Sequence, residues 1–178
     1  MANNKRIVTG NDAAGRSRVI REEIQPGMES WAHTPGFSAP VVWHTAPAVT
    51  VGATAPSFAP PVSVVPGPGG TCAMLVTFPP EAPPAPDFDP VAMAAELSEK
   101  LPGLAECFEP DGSGFERTDT VDYGVVLEGE IWLELDDGSL THLRAGDLIV
   151  QNGTRHAWRN RSNQPARLFF VLAGARRV

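Results

Sequence analysis

The sequence predicts an all-β fold, a sandwich or barrel of short antiparallel strands with an N-terminal arm and one short helix. Three observations predict it. Residues 114–160 place β-rich runs between turn signals at Glu128-Gly129-Glu130, Asp136-Asp137-Gly138 and Gly146-Asp147, a spacing of about eight to ten residues. The chain holds 17 Gly and 18 Pro, which favours a loop-rich β protein over a helical one. Its 178 residues suit one domain with a core of its own.

The elements follow in chain order. Residues 5–9 (KRIVT) and 17–20 (SRVI) flank a turn ending at Gly15, which reads as a hairpin. Residues 41–45 (VVWHT) form a further strand candidate. Residues 46–70 are rich in Pro, Gly, Ala and Ser and read as an extended segment lying along the surface. The apolar run at residues 71–78 (TCAMLVTF) has the length of a buried strand. Asp89-Pro90 pairs an N-cap with proline at the first helical position, and Pro102-Gly103 stops the helix so begun. Val91, Ala94, Leu97 and Leu101 share one face of it, which either packs outside the sheet or roofs a cavity. Strands are then expected up to Glu128, Asp136, Gly146 and His156. Ile131, Leu133 and Leu135 alternate with Trp132 and Glu134, the pattern of a half-buried strand whose Trp132 a second subunit could cover. His142 reads as an exposed strand residue, and His33 and His44 as solvated or capping. The organisation expected is an arm at 1–66 and a barrel at 67–178, together one structural domain.

Charge narrows the partners. The net charge is −7 and no basic cluster exists, which argues against nucleic acid and against an anionic membrane. No run approaches the ~18 apolar residues of a membrane span, and the N-terminal residues lack the apolar core of a signal peptide. A cytoplasmic protein is expected; Cys72 and Cys107 make no disulfide framework, and in that compartment they are expected to stay unbridged.

The chemistry-bearing residues fall into two sets. Glu116, Thr118, Thr120, Asp122 and Gly124 are spaced by two, so on one strand they point the same way. His156, Trp158 and Asn160 form a second set with that spacing. A barrel interior bearing these groups is too polar for a plain core, because a buried ionisable group is costly unless it is paired or holds a metal.

The segment resembles the cupin superfamily, whose first motif is G-x5-H-x-H-x3/4-E-x6-G and whose second is G-x5-P-x-G-x2-H-x3-N. Asp122-x6-Gly129 fits the E-x6-G portion with Asp for Glu, which puts Glu116 and Thr118 at the two histidine positions. Gly146, Gly153, His156 and Asn160 fit the second motif with a loop one residue short, and Gln151 stands where proline is expected. The likeness covers roughly residues 68–174. It implies a cupin-type jelly-roll β-barrel, a homodimer and a small organic substrate or ligand. The activity implied is that of a lyase, isomerase or oxygenase of secondary or catabolic metabolism; the alternative is a non-catalytic binding or sensor barrel.

Three readings of the polar set stand side by side. In the first, Glu116, Asp122 and His156 hold a divalent metal, Mn, Fe or Zn, with Thr118 or water completing the shell. In the second, no metal is used and His156 and Asp122 act as the catalytic acid–base pair. In the third, the groups form a polar network beneath a bound ligand. In each, Thr118, Thr120, Trp158 and Asn160 are the expected substrate-binding residues.

Overall fold

The computed structural model describes residues 4–51 and 61–178. The hairpin is β1 (Lys5–Asn11) and β2 (Ser17–Ile24), as expected but longer at both strands. Asp12 fixes its turn by accepting from the backbone N–H of Ala14 and Arg16. Then come β3 (Val41–Thr45), β4 (Thr71–Phe78), the helix α1 (Pro90–Lys100), a 3-10 turn (Ala105–Cys107), β5 (Thr120–Glu128), β6 (Glu130–Glu134), β7 (Leu140–Arg144), β8 (Leu148–Asn152), β9 (Ala157–Arg159) and β10 (Ala166–Gly174). The expected strand ending at His156 is corrected: it ends at Asn152, and His156 lies in an isolated bridge to Glu116.

Among the described residues the strands make three sheets, all antiparallel. The hairpin stands as a pair, five strands run in the order β3-β4-β10-β5-β8, and three run β7-β6-β9. Ile131 and Leu133 from the smaller sheet join Met74, Val76, Val126, Leu168, Phe170 and Leu172 from the larger in one apolar cluster. Burial of these faces is the main force closing the barrel. The arm is stitched into that core. Trp31, Ala39 and Val64 belong to the same cluster, β3 pairs with β4, and buried Arg6 donates to the Val42 carbonyl at 2.8 Å. Of the expected surface segment 46–70, residues 52–60 lie outside the described residues.

Two glycines set the geometry around the site. Gly129 turns β5 into β6 at φ 72°, where side chains are strained, and a Cβ there would stand 2.5 Å from the Pro165 carbonyl oxygen. Gly124 pairs with both Phe170 and Ile149, and a Cβ there would meet atoms of each at 2.8 Å. Absence of a side chain at that point lets the Phe170 ring lie over β5.

The helix begins as expected. Asp89 accepts from the N–H groups of Val91 and Ala92, and Pro90 fills the first position. Its buried face differs from the expected one: Val91 is 77% exposed and Ala94 is exposed, while Glu96 and Leu101 are buried. The reason is a carboxylate clamp that the apolar periodicity could not show. Glu96 accepts from the backbone N–H of Ala32 at 2.9 Å and of His33 at 2.8 Å, turning that side of the helix onto the arm. His142 is also corrected. It is half-buried, stacked on Trp132 at 4.3 Å, with its Nε2 2.7 Å from Glu130 Oε2. No helix among the described residues is long and apolar enough to cross a membrane.

Candidate active site

A cavity of about 230 Å³ lies inside the barrel, and it is apolar over most of its wall. Met74, Val76 and Phe78 come from β4, Phe170 and Leu172 from β10, and Phe37 from the arm. Leu97 and Leu101 line it from above, so the helix is a roof and not an outside brace. Polar groups gather at one end: Glu116, Thr118, Asp122, Gln151 and His156. Neither Lys nor Arg lines the cavity among the described residues.

The period-two reading of residues 116–124 holds in large part. Thr118, Thr120 and Asp122 are all buried, and Glu116 nearly so. Thr118 and Asp122 reach the cavity. Thr120 does not; its hydroxyl lies 2.7 Å from that of Thr118. Asn160, expected to bind substrate, is likewise absent from the wall. Its amide donates to the carbonyls of Phe78 and Gln164, and its oxygen accepts from Ser162, so it closes the loop between β9 and β10. Trp158 does line the cavity, its ring 5.5 Å from Phe170, 6.2 Å from Phe78 and edge-on to His156 at 5.8 Å.

Gln151 escaped notice as a working residue because it showed only as a missing proline. Its amide donates to the Thr154 carbonyl at 3.1 Å and contacts the Thr154 hydroxyl. The same carbonyl lies 3.1 Å from His156 Nδ1. A carbonyl can only accept, so Nδ1 carries the proton and Nε2 of the neutral ring bears a lone pair. That lone pair faces Glu116, whose Oε1 is 3.7 Å away. Burial pushes His156 below its ordinary pKa, which keeps the ring neutral.

The carboxyl groups move the other way. Burial, with the neighbouring Asp122 charge adding to it, pushes Glu116 up to about 8. Burial raises Asp122 to about 6, against the hydrogen bond from Thr120. At neutral pH the cluster therefore pairs a protonated Glu116 with an unprotonated imidazole nitrogen and a largely ionised Asp122.

Residues 106–172 match the family model of the cupin domain. This segment is a cupin domain. Over 63 residues it is 51% identical to phomopsin biosynthesis cluster protein C' of Diaporthe leptostromiformis, covering 35% of this chain and 33% of that protein. Over another 63-residue alignment it is 40% identical to the cupin-domain-containing oxidoreductase virC of Hypocrea virens, covering 34% and 32%. The chain thus spans about a third of the length of the curated relatives it matches. A solved Cupin 2 conserved barrel domain protein from Salinispora arenicola aligns over 78% of this chain and 76% of its own, at 11% identity and a TM-score of 0.41.

Cupin domains commonly hold a divalent metal, and the placement of the side chains tests whether this one is built to. Among the described residues no group of three or more His, Cys, Asp and Glu side chains is placed to hold one. Glu116 and His156 approach each other, Thr118 spends its hydroxyl on Thr120, and Asp122 does not complete a three-ligand set. As placed, Glu116, Asp122 and His156 do not fit the metal reading.

Proposed function

We propose that this chain is an enzyme of secondary metabolism that moves a proton on a small, largely apolar organic molecule, as a lyase or isomerase does. His156 Nε2 takes the proton and the protonated Glu116 carboxyl supplies one, while Asp122 holds the charge of the cluster. The observation that carries this reading is the lone pair of a tautomer-fixed His156 facing a buried Glu116 carboxyl at the polar end of an apolar cavity. Trp158, Phe78 and Phe170 would grip the substrate body, and the helix roof would keep bulk water from the transfer. The relatives named as biosynthesis cluster proteins support the metabolic setting. The free thiols Cys72 and Cys107 suit a reducing, cytoplasmic one.

A second reading follows the name of virC, a cupin-domain-containing oxidoreductase, and requires a redox metal at the same cluster. One experiment separates the two. Small apolar amines and carbonyl compounds are incubated with the protein in deuterated water and read by mass spectrometry, before and after chelation. Deuterium uptake or product that survives chelation is expected. Turnover lost on chelation and restored by Mn or Fe would replace proton transfer with the redox reading.

The assembly we propose is a homodimer that covers the outer face of the five-stranded sheet. Leu148, Val150 and Tyr123 are 78%, 64% and 56% exposed there, on strands paired with one another. The hairpin, with Ile7, Val19 and Ile24 about half exposed, is a two-stranded sheet of a kind that is marginal alone in water. Sedimentation at twice the chain mass is expected, with removal of residues 1–22 giving a monomer or an insoluble chain. A soluble truncated protein that still sediments as a dimer would count against the hairpin's part.

A further inference from the structure

The cavity's charge is unbalanced. Asp122 is 7% exposed and lines the cavity, yet its Oδ1 has no hydrogen-bond partner. Glu116 Oε2, on the same wall, has none either. No Lys or Arg side chain lines the cavity among the described residues, and the one imidazole there is fixed with its lone pair inward. Buried carboxylate oxygens are almost always paired, so two orphans on residues that line one cavity point to a missing donor. The rest of the wall limits what carries that donor. Phe78, Trp158, Phe170 and Met74 form an apolar and aromatic surface with room for about one ring.

We infer that the molecule bound here is a hydrophobic amine, its ammonium received by the free oxygens of Asp122 and Glu116 and its apolar body held against Trp158, Phe78 and Phe170. This rests on the reading that the cavity is the working site, and it adds the substrate's charge class. An ammonium offers three donors and one positive charge, which supplies both free oxygens and offsets the one carboxylate. A cation beside Trp158 also gains from the ring face. An anionic ligand, a phosphate ester or a carboxylic acid, would meet two carboxyl groups and no cation.

The test uses the full chain in buffer containing EDTA, so that no metal ion competes for the carboxyl groups. The probes are 2-phenylethylamine, 2-phenylethanol and 3-phenylpropionate, matched in ring and near-matched in length. Binding is read by calorimetry and by the fluorescence of Trp158, with Trp158→Phe identifying its signal. Expected is amine binding at least tenfold tighter than alcohol binding, with the acid weakest. Asp122→Asn keeps the side-chain shape and is expected to erase the amine's advantage while the alcohol binds as before. Equal affinity for amine and alcohol, or an Asp122→Asn protein that still prefers the amine, overturns the inference and leaves the cavity reading intact. If Asp122→Asn does not fold, the ratio of amine to alcohol affinity in the unaltered protein decides. Failure of all three probes to bind overturns the inference and the cavity reading together.

Discussion

Glu116→Gln is expected to raise the melting temperature most above pH 8 and to change it little near pH 4. The carboxyl of Glu116 has an ordinary value of 4.5 and is pushed up to about 8 by burial, then by the Asp122 charge. Between those pH values the folded chain holds a proton that the unfolded chain has released. Stability therefore falls as pH rises from 4.5 and reaches its floor once pH passes the folded value. A displacement of this size corresponds to a loss on the order of several kcal/mol, because a nearly enclosed carboxylate must be charged without a partner. Glutamine keeps the length of the side chain and never ionises. For a chain of this length, recovering even 2 kcal/mol shifts the midpoint by about 5 °C. Differential scanning calorimetry of both proteins at pH 4 and pH 9, with EDTA present, measures it. A metal ion in the cluster would hold Glu116 ionised and reverse the sign, so Glu116→Gln melting below the parent at pH 9 in metal-loaded protein would restore the metal reading.

The sequence shows the frame of this site more clearly than its contents. Strand positions were legible because the turns are chemically marked: Gly129, Gly138 and Gly146 all adopt positive φ, and Asp137 anchors its turn by accepting from Ser139. The alternation at 116–124 was legible for the same reason, since a strand with one buried face repeats every two residues. His156 broke the pattern. Its backbone bridges to Glu116 outside any strand, so its spacing to Asn160 carried a family motif but no common direction. Asn160 consequently turned to the loop and only Trp158 and His156 to the cavity. The apolar wall was not legible at all. Phe37, Met74, Leu97 and Leu172 are far apart in sequence and meet only because β10 lies between β4 and β5 while the helix folds over them. The Glu96 clamp is tertiary as well: a carboxylate in the middle of an amphipathic helix reads as solvated until the arm that it binds is in place.

His156→Ala is expected to lower kcat by about 10²- to 10⁴-fold, the usual worth of a positioned acid or base, and to leave the fold in place. The backbone N–H and carbonyl of residue 156 pair with Glu116 at 3.0 and 2.9 Å, and alanine keeps both bonds. The Thr154 carbonyl loses the imidazole but keeps the Gln151 amide. The space vacated opens onto the cavity, so little packing is lost beyond the edge contact with Trp158. That opening makes rescue a sharper test than the loss itself. Added imidazole can enter the gap and present a nitrogen to the substrate, and it should restore part of the rate to His156→Ala while doing nothing for Glu116→Gln. The rate of the unaltered enzyme should fall on both sides of a maximum. The acid limb begins near pH 6, where Asp122 takes up a proton, and is completed by His156, whose burial holds it below its ordinary value; the alkaline limb lies near pH 8, where Glu116 loses the proton that it must donate. If His156→Ala turns over at the parent rate, the chemistry is not in this pocket. If no compound is turned over by the parent while ring-bearing probes bind it and bind His156→Ala equally well, the barrel is a binding protein and its acid–base cluster is structural.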